Sequence, residues 1–341
     1  MNRSLIPLAG LYGAGTRLRR RAYQQGWLKS RRLSRPVISV GNLSVGGSGK
    51  TPLVAEVAEI LLRHGRKPAI LTRGYGREGG ADLIALEPAP GRHPDARVTG
   101  DEPALLARAL PQVPIIICAD RFRAGQLAEE RFCADVHILD DGFQHFALER
   151  AVDLVAIDVT KNVLADAVLP AGRLREPVSA LARADLIVLT RAEIQDPATI
   201  ESQVKETNSR APVFRCAMEL RRLIGAVSGE AIKAETCLGK PVCAFCGVGN
   251  PSAFFADLRR WGFNPVAEIT FRDHHVYTQE DIVRINKAAI EKGAAAFLTT
   301  EKDLMNLQPQ LEFRLPMLAC AIRAEISDAE KFEQVLLAGI E

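Results

Sequence analysis

Nowhere in this 341-residue chain do apolar residues run for the ~20 positions that a bilayer-spanning helix needs. The uncharged stretch Ser4 to Thr16 is too short. Its arginines also follow the apolar run instead of preceding it, which argues against a secretory signal. The seven cysteines (Cys118, Cys133, Cys216, Cys237, Cys243, Cys246 and Cys320) are an odd number scattered through apolar strands. That pattern excludes a disulfide framework and fits reduced core thiols in a cytosol-facing protein. Cys243 and Cys246 form a C-x-x-C, but no second pair stands at zinc-site spacing, so core packing is the simpler reading.

Acids are missing from residues 1–35, which carry nine basic groups: Arg3, Arg17, Arg19, Arg20, Arg21, Lys29, Arg31, Arg32 and Arg35. The formal charge of +3 therefore splits into a basic arm and a remainder at −6. Leu5, Leu8, Leu11, Tyr12, Leu18 and Ala22 recur there at helical spacing, with Trp27 and Leu28 following. A basic amphipathic helix on an anionic leaflet fits this best. An ordinary helix packed on its own domain is the bland alternative. Nucleic-acid binding is disfavoured because no aromatic interleaving accompanies the arginines.

With 47% hydrophobic and 25% charged residues, the chain reads as globular, and its length suits two domains. Apolar β-rich runs alternate with helical patterns, which predicts a parallel sheet flanked by helices. The expected division is a basic membrane-surface helix over 1–35, a phosphate-loop kinase domain over 36–220 and a smaller α/β domain over 221–341. Two strands, Val213 to Met218 and Leu223 to Val227, are expected to pair as a connector. The region after Thr72 reads as a loop rich in Gly, Pro and Asp until a helix begins at Gly100-Asp101-Glu102-Pro103, with Asp101 as its cap.

The strongest motif follows the strand Val37-Ile38-Ser39-Val40. Gly41 to Pro52 reads G-N-L-S-V-G-G-S-G-K-T-P, and an amphipathic helix runs on to about His64. Glycines let amides at Ser44, Val45, Gly46, Gly47, Ser48 and Gly49 curl around phosphate. Lys50 reaches the β/γ-phosphates, Thr51 ligates Mg²⁺, and the helix dipole favours the anion. Ser44 stands where the usual first glycine would. ATP and Mg²⁺ are the expected ligands.

Further polar clusters fall at strand ends, where ligands of open parallel sheets gather. Asp140 and Asp141 close the apolar strand Val136-His137-Ile138-Leu139 and resemble the acidic end that holds magnesium in phosphate-loop enzymes. Asp101 and Glu102 are candidates for a base or metal support; Asp273, His274 and His275 are candidates to supply or orient a base, or to ligate zinc. Arg73, Arg77 and Arg121 are candidate phosphate clamps, with solvated arginines as the bland reading.

Taken in order, V-G-N-L-S-V-G-G-S-G-K-T-P, L-T-R-G-Y-G-R, G-D-E-P, D-D-G-F-Q-H, F-R-D-H-H and T-T-E-K-D strongly resemble the tetraacyldisaccharide 4′-kinase (lipid A 4′-kinase) family. The motifs extend from Val40 to Asp303, nearly the whole chain. The resemblance implies transfer of the ATP γ-phosphate to the 4′-hydroxyl of an acylated glucosamine disaccharide 1-phosphate, peripherally at the cytosolic face of an inner membrane. It implies a site in the cleft between two α/β domains. Lys50 and Thr51 then match the family's loop lysine and threonine. Asp101 with His274 matches the pair that activates the hydroxyl, Asp101 removing the proton. Asp140 and Asp141 match the acidic strand end, with Gln144 beside them, and Tyr75 falls within the family's arginine-glycine motif. Lys302 is left without a role beyond a phosphate contact. No nucleic acid and no obligate protein partner are expected. The alternative is a nucleotide switch or metallochaperone-like protein with a protein partner, for which Thr190-Arg191-Ala192-Glu193 faintly echoes a guanine motif.

Overall fold

The computed structural model describes every residue except 1, 2, 76, 78–80, 92, 93, 227, 228 and 308–310. Gly76 of the arginine-glycine motif and Val227 of the expected second connector strand lie outside the described residues. After helix α1 (Ile6–Gln24) come β1 (Val37–Asn42), α2 (Lys50–Arg63), β2 (Pro68–Thr72), β3 (Leu83–Leu86) and α3 (Ala96–Thr99). Then follow α4 (Asp101–Ala109), β4 (Ile115–Cys118), α5 (Arg121–Phe132), β5 (Val136–Asp140), β6 (Val152–Asp158), β7 (Leu186–Thr190) and α6 (Ala198–Thr207). The remainder holds β8 (Val213–Gly225), β9 (Ala231–Ile232), β10 (Pro241–Cys246), α7 (Pro251–Arg260), β11 (Asn264–Thr270) and α8 (Gln279–Glu291). It closes with β12 (Ala296–Thr300), α9 (Glu301–Met305), β13 (Met317–Ile326) and α10 (Ala329–Ala338).

The strands form one thirteen-stranded sheet in the order β11-β10-β12-β13-β8-β7-β6-β1-β5-β2-β4-β3, with β9 paired to β8. Most neighbours are parallel. Runs such as Val152–Asp158 are buried along their whole length, as strands covered on both faces must be. Helix α2 turns Leu53, Val54, Val57, Ala58, Ile60 and Leu61 inward at helical spacing. Each fully buried Val, Leu or Ile side chain among them contributes about 1.5–3 kcal/mol. The segment read as a loop after Thr72 contains β3, four residues that pair antiparallel with β4 at the sheet edge. A strand this short, set among Gly, Pro and Asp, carries too little periodicity to stand out.

Strand β8 positions the site. Where two strands and a connector were expected, Val213–Gly225 is one strand, antiparallel to β13 from Cys216↔Ile326 to Gly225↔Leu318. Charged residues broke the apolar run without breaking the strand. Arg221 is the extra residue of a bulge, and it pairs with Glu59 while Glu219 pairs with Arg260. The first half of β8 continues β7 (Thr190↔Cys216), and β12 ends level with Cys320 of β13 (Thr300↔Cys320). The carboxyl ends of β1, β5, β6 and β7 therefore face those of β10 and β12 across a two-stranded bridge. Met218, Cys320 and Ile322 of that bridge floor the cleft between them.

Candidate active site

The loop leaving β1 curls because Gly46 and Gly49 adopt φ values of +94° and +75°. A side chain at Gly49 would strike Met218 Cε at 2.6 Å. Ser44 needs no such freedom. Its backbone is extended against Leu174 in an isolated bridge, and Val45 N–H donates to Arg173 O. That pairing explains how the loop dispenses with the usual first glycine. Two outward carbonyls are held from behind: Lys161 Nζ donates to Gly47 O (3.1 Å) and Thr190 Oγ1 to Ser48 O (3.0 Å). With carbonyls turned away and held, the amides are free to face an anion.

Lys50 opens α2 and lies 3.3 Å from Asp141 Oδ1, while Arg175 donates to Asp141 Oδ2 at 2.6 Å. Burial pushes the Asp141 carboxyl up, but Lys50 and Arg175 outweigh it and hold it below the usual range. Its neighbour behaves oppositely. Asp140 is buried, accepts from Thr72 Oγ1 at 3.0 Å, and is pushed up by burial and by Glu102 and Asp141. A buried carboxylate crowded by like charges is where a divalent cation relieves the most strain. Among the described residues no three His, Cys, Asp or Glu side chains form a cage. Thr51 and Asp140 are the oxygen donors here that would suit magnesium, a hard cation.

Across the cleft, Asp101 is not the cap of α4. Gly100 is, at φ +91°, and Asp101 is the first helical residue. Its Oδ1 accepts from the Glu102 amide (2.9 Å) and its Oδ2 faces His274 Nδ1 at 2.7 Å. Lys302 Nζ lies 3.0 Å from Asp273 Oδ1, 3.2 Å from His274 Nε2 and 3.8 Å from Asp101 Oδ2. An ammonium facing Nε2 needs that nitrogen's lone pair, so this network assigns the neutral tautomer with Nδ1–H donated to Asp101. The Asp101 hydrogen bond raises the imidazole pKa, with burial and Lys302 opposing it. Burial disfavours the Asp101 carboxylate, but His274 and Lys302 outweigh that and keep it low.

Arg73, Tyr75, Glu102, Arg121, Gln144 and Asp273 also line this cleft of about 920 Å³, together with the phosphate loop and His274. The Tyr75 ring sits 5.9 Å from that of His274, and Gln144 braces the loop by donating to Asn42 O. His275 is not brought into the lining. Its ring stacks on Phe271 at 4.7 Å and bonds Asp281, the acid that completes the capping box of α8 with Thr278. The T-R-A-E echo is occupied structurally: Arg191 pairs with Asp257 (2.6 Å) and Glu193 accepts the Met218 amide. Sequence reasoning missed Arg175, Lys161 and the place of Lys302 beside Asp273, His274 and Asp101. Lys302 carried a visible signal, because it is the basic residue of T-E-K-D immediately after an apolar strand.

The two sides meet directly. A Cβ on Gly249 would lie 2.2 Å from Gly47 N, and Lys161 donates to Gly249 O at 2.9 Å. Gly249→Ala is expected to push the phosphate loop away, raising KM for the nucleotide about tenfold or more and, because the clash is with backbone, lowering the melting temperature as well. Steady-state kinetics beside a thermal melt check this; an unchanged KM would refute the contact's role.

The chain matches, over residues 1–341, the family model described as tetraacyldisaccharide-1-P 4′-kinase. It is 38% identical over 332 residues to the tetraacyldisaccharide 4′-kinase of Geobacter metallireducens, covering 97% of this chain and 96% of that one. The Koribacter versatilis protein of the same name is also 38% identical, over 95% of each chain. Among solved structures, the "apo" form of LpxK from Aquifex aeolicus in complex with ATP superposes with a TM-score of 0.79 at 32% identity, over 99% of both chains.

Proposed function

The chain belongs to the tetraacyldisaccharide-1-P 4′-kinase family, ATP-dependent kinases of lipid A assembly, and from that premise we propose how its residues divide the transfer. The observation that carries the proposal is the 2.7 Å contact between Asp101 and His274 in the cleft that Lys50 also lines. Loop amides and Lys50 hold the triphosphate and neutralise charge that grows during transfer. Thr51 and Asp140 would hold magnesium, which when bound supplies neutralisation of the phosphate charge, and Asp141 aligns Lys50 and Arg175.

Asp101 was expected to take the proton. Burial favours a different division, because the Asp101 side chain is 5% exposed with both oxygens engaged, whereas that of His274 is 32% exposed. In this division Nε2 of His274 receives the 4′-hydroxyl proton, and Asp101 stabilises the imidazolium. As the sugar O–P bond forms, the bond from the γ-phosphorus to the ADP oxygen breaks and ADP leaves. Lys302 keeps the resting imidazole unprotonated and withdraws toward Asp273 as the acceptor enters. Removing its ammonium lets Asp101 raise the imidazole pKa further. Lys302→Ala is therefore expected to move the acidic limb of the kcat/KM profile to higher pH, and Lys302→Arg to restore it in part. An unmoved limb would remove Lys302 from this role.

The acceptor is met at a membrane surface. Helix α1 buries Ala9 and Gly13, while Leu8, Leu11 and Leu18 stay exposed beside Arg17 and Arg21. No described helix is long and apolar enough to cross a membrane; in this reading the exposed leucines and arginines of α1 support its lying on the cytosolic leaflet. Labelled ATP offered with acylated disaccharide 1-phosphate, unacylated sugars and proteins tests the whole reading. Transfer only to the acylated disaccharide supports it, and transfer to a protein would overturn it.

A further inference from the structure

The T-T-E-K-D motif ends on Asp303, a side chain that the transfer described above does not use. Thr300, Glu301 and Lys302 line the cleft, whereas Asp303 lies behind its wall and is only 1% exposed. Its carboxylate gathers donors from three separate segments. Oδ1 accepts from the Gly247 amide just past β10 (2.7 Å) and from the Tyr277 hydroxyl (2.7 Å). Oδ2 accepts from the Thr300 hydroxyl at the end of β12 (2.6 Å), and Thr300 Oγ1 in turn accepts from the Asp303 amide (3.1 Å). Capping a helix of five residues explains Thr300 alone. Gly247 and Tyr277 need another reason.

Both lead to His274. Gly247 O accepts from the His274 amide (3.2 Å), so one glycine joins the carboxylate to the base through its own N–H and C=O. Tyr277 closes the same turn and is fully buried, edge-on to the Phe245 and Phe271 rings. A single oxygen of Asp303 therefore ties down both ends of the segment 274–277. His274 needs such ties, because its φ of +58° is a conformation that a non-glycine residue keeps only where its surroundings over-determine it. Gly247 runs close beneath the turn: a Cβ there would lie 2.8 Å from Arg272 O and 3.0 Å from His275 Cβ. Through Oδ2 the same carboxylate holds Thr300, close in sequence to Lys302, whose Nζ lies 3.2 Å from His274 Nε2. The far end of the glycine loop is anchored separately. Asn250 Nδ2 donates to Asp158 Oδ2 and Thr160 Oγ1, each at 2.9 Å, and Lys161 holds Gly249 O.

We propose that Asp303 is a positioning residue for phosphoryl transfer, its buried carboxylate fixing where His274 and Lys302 stand relative to each other. The proposal rests on the kinase reading and on His274 as the proton acceptor. Asp303 touches neither substrate. It acts through Gly247 and Tyr277 on the turn that carries the imidazole, and through Thr300 on the start of α9.

The test measures kcat and KM with ATP and the acylated disaccharide 1-phosphate, beside thermal melts. Asp303→Ala should lower kcat about 10²-fold, the scale of a reacting group misplaced by ~1 Å, with KM for ATP within about threefold of wild type. Tyr277→Phe keeps the ring and removes one tie, so kcat should fall about tenfold. Adding Tyr277→Phe to Asp303→Ala should cost nothing further, because both act through one oxygen. Asp303→Asn should keep kcat within about threefold of wild type, since its amide oxygen can accept from Gly247 and Tyr277 and its nitrogen can donate to Thr300. Ile285→Val, in the same core as Tyr277, should lower the melting temperature and leave kcat unchanged. Additive losses in the double variant, an Asp303→Asn as slow as Asp303→Ala, or a kcat that falls with Ile285→Val would overturn the proposal. So would wild-type kcat in Tyr277→Phe. A wild-type protein that phosphorylates no acylated disaccharide would fail the kinase reading before any variant is made, and this proposal with it.

Discussion

Replacing His274 with asparagine is expected to lower kcat about 10²–10⁴-fold while KM for ATP and acceptor changes little, the loss typical of a removed general base. Asparagine is the informative substitute because His274 sits at φ +58°, a left-handed conformation that asparagine tolerates better than alanine. The fold should survive, since the ring is part-exposed and its partners are other members of the site. His275→Ala is the contrasting variant. Its ring supports the cap of α8 through Asp281 and stacks on Phe271, so the expected loss is in stability, by about 1–2 kcal/mol, with kcat near wild type. Single-turnover rates and thermal melts of both variants decide between them. If the kcat defect follows His275, the assignment of the base is wrong.

The second large effect is expected at Lys50. Lys50→Met should cost about 10²–10³-fold in kcat and weaken nucleotide binding, because one preorganised cation on the transferring phosphoryl group is lost. The ammonium also tethers Asp141, which among the described residues would keep only Arg175 as an ion-pair partner. Lys50→Arg, which keeps the charge, is not expected to retain wild-type turnover either. A planar guanidinium cannot repeat a point-charge contact in a cradle this tight. Calorimetric titration with ATP, beside turnover assays, separates the binding and rate terms. Near-normal turnover in Lys50→Met would exclude this loop as the phosphate cradle.

Much of this arrangement was readable along the chain because the fold puts function at strand ends. A β-branched run ending in glycines and Lys50-Thr51, or an apolar run ending in Asp140-Asp141, marks both the strand and its chemistry. The meeting of Asp101 with His274 was legible only through family motifs, since 173 residues separate them and no local spacing joins them. Strand β8 was misread as two because Glu219, Arg221 and Arg222 interrupt its apolar pattern. Those residues cross the open bridge between two cores, where solvent and ion pairs satisfy them. Lys161 and Arg175 gave no local signal. Each acts by reaching a loop far from it in sequence, and only the tertiary structure shows which carbonyl or carboxylate it meets. Ser44 shows the reverse case, a departure from the usual motif made harmless by an extended pairing with Leu174.

The acidic limb of kcat/KM for Asp101→Asn, set against wild type, tests the pairing at the centre of the cleft most directly. Activity requires unprotonated His274, so it is lost as pH falls through the imidazole pKa. The Asp101 carboxylate raises that pKa; its neutral isostere lowers it. The limb should therefore move to lower pH while the plateau rate falls. A limb that stays in place, or moves upward, would show that Asp101 and His274 do not act as one proton-accepting unit.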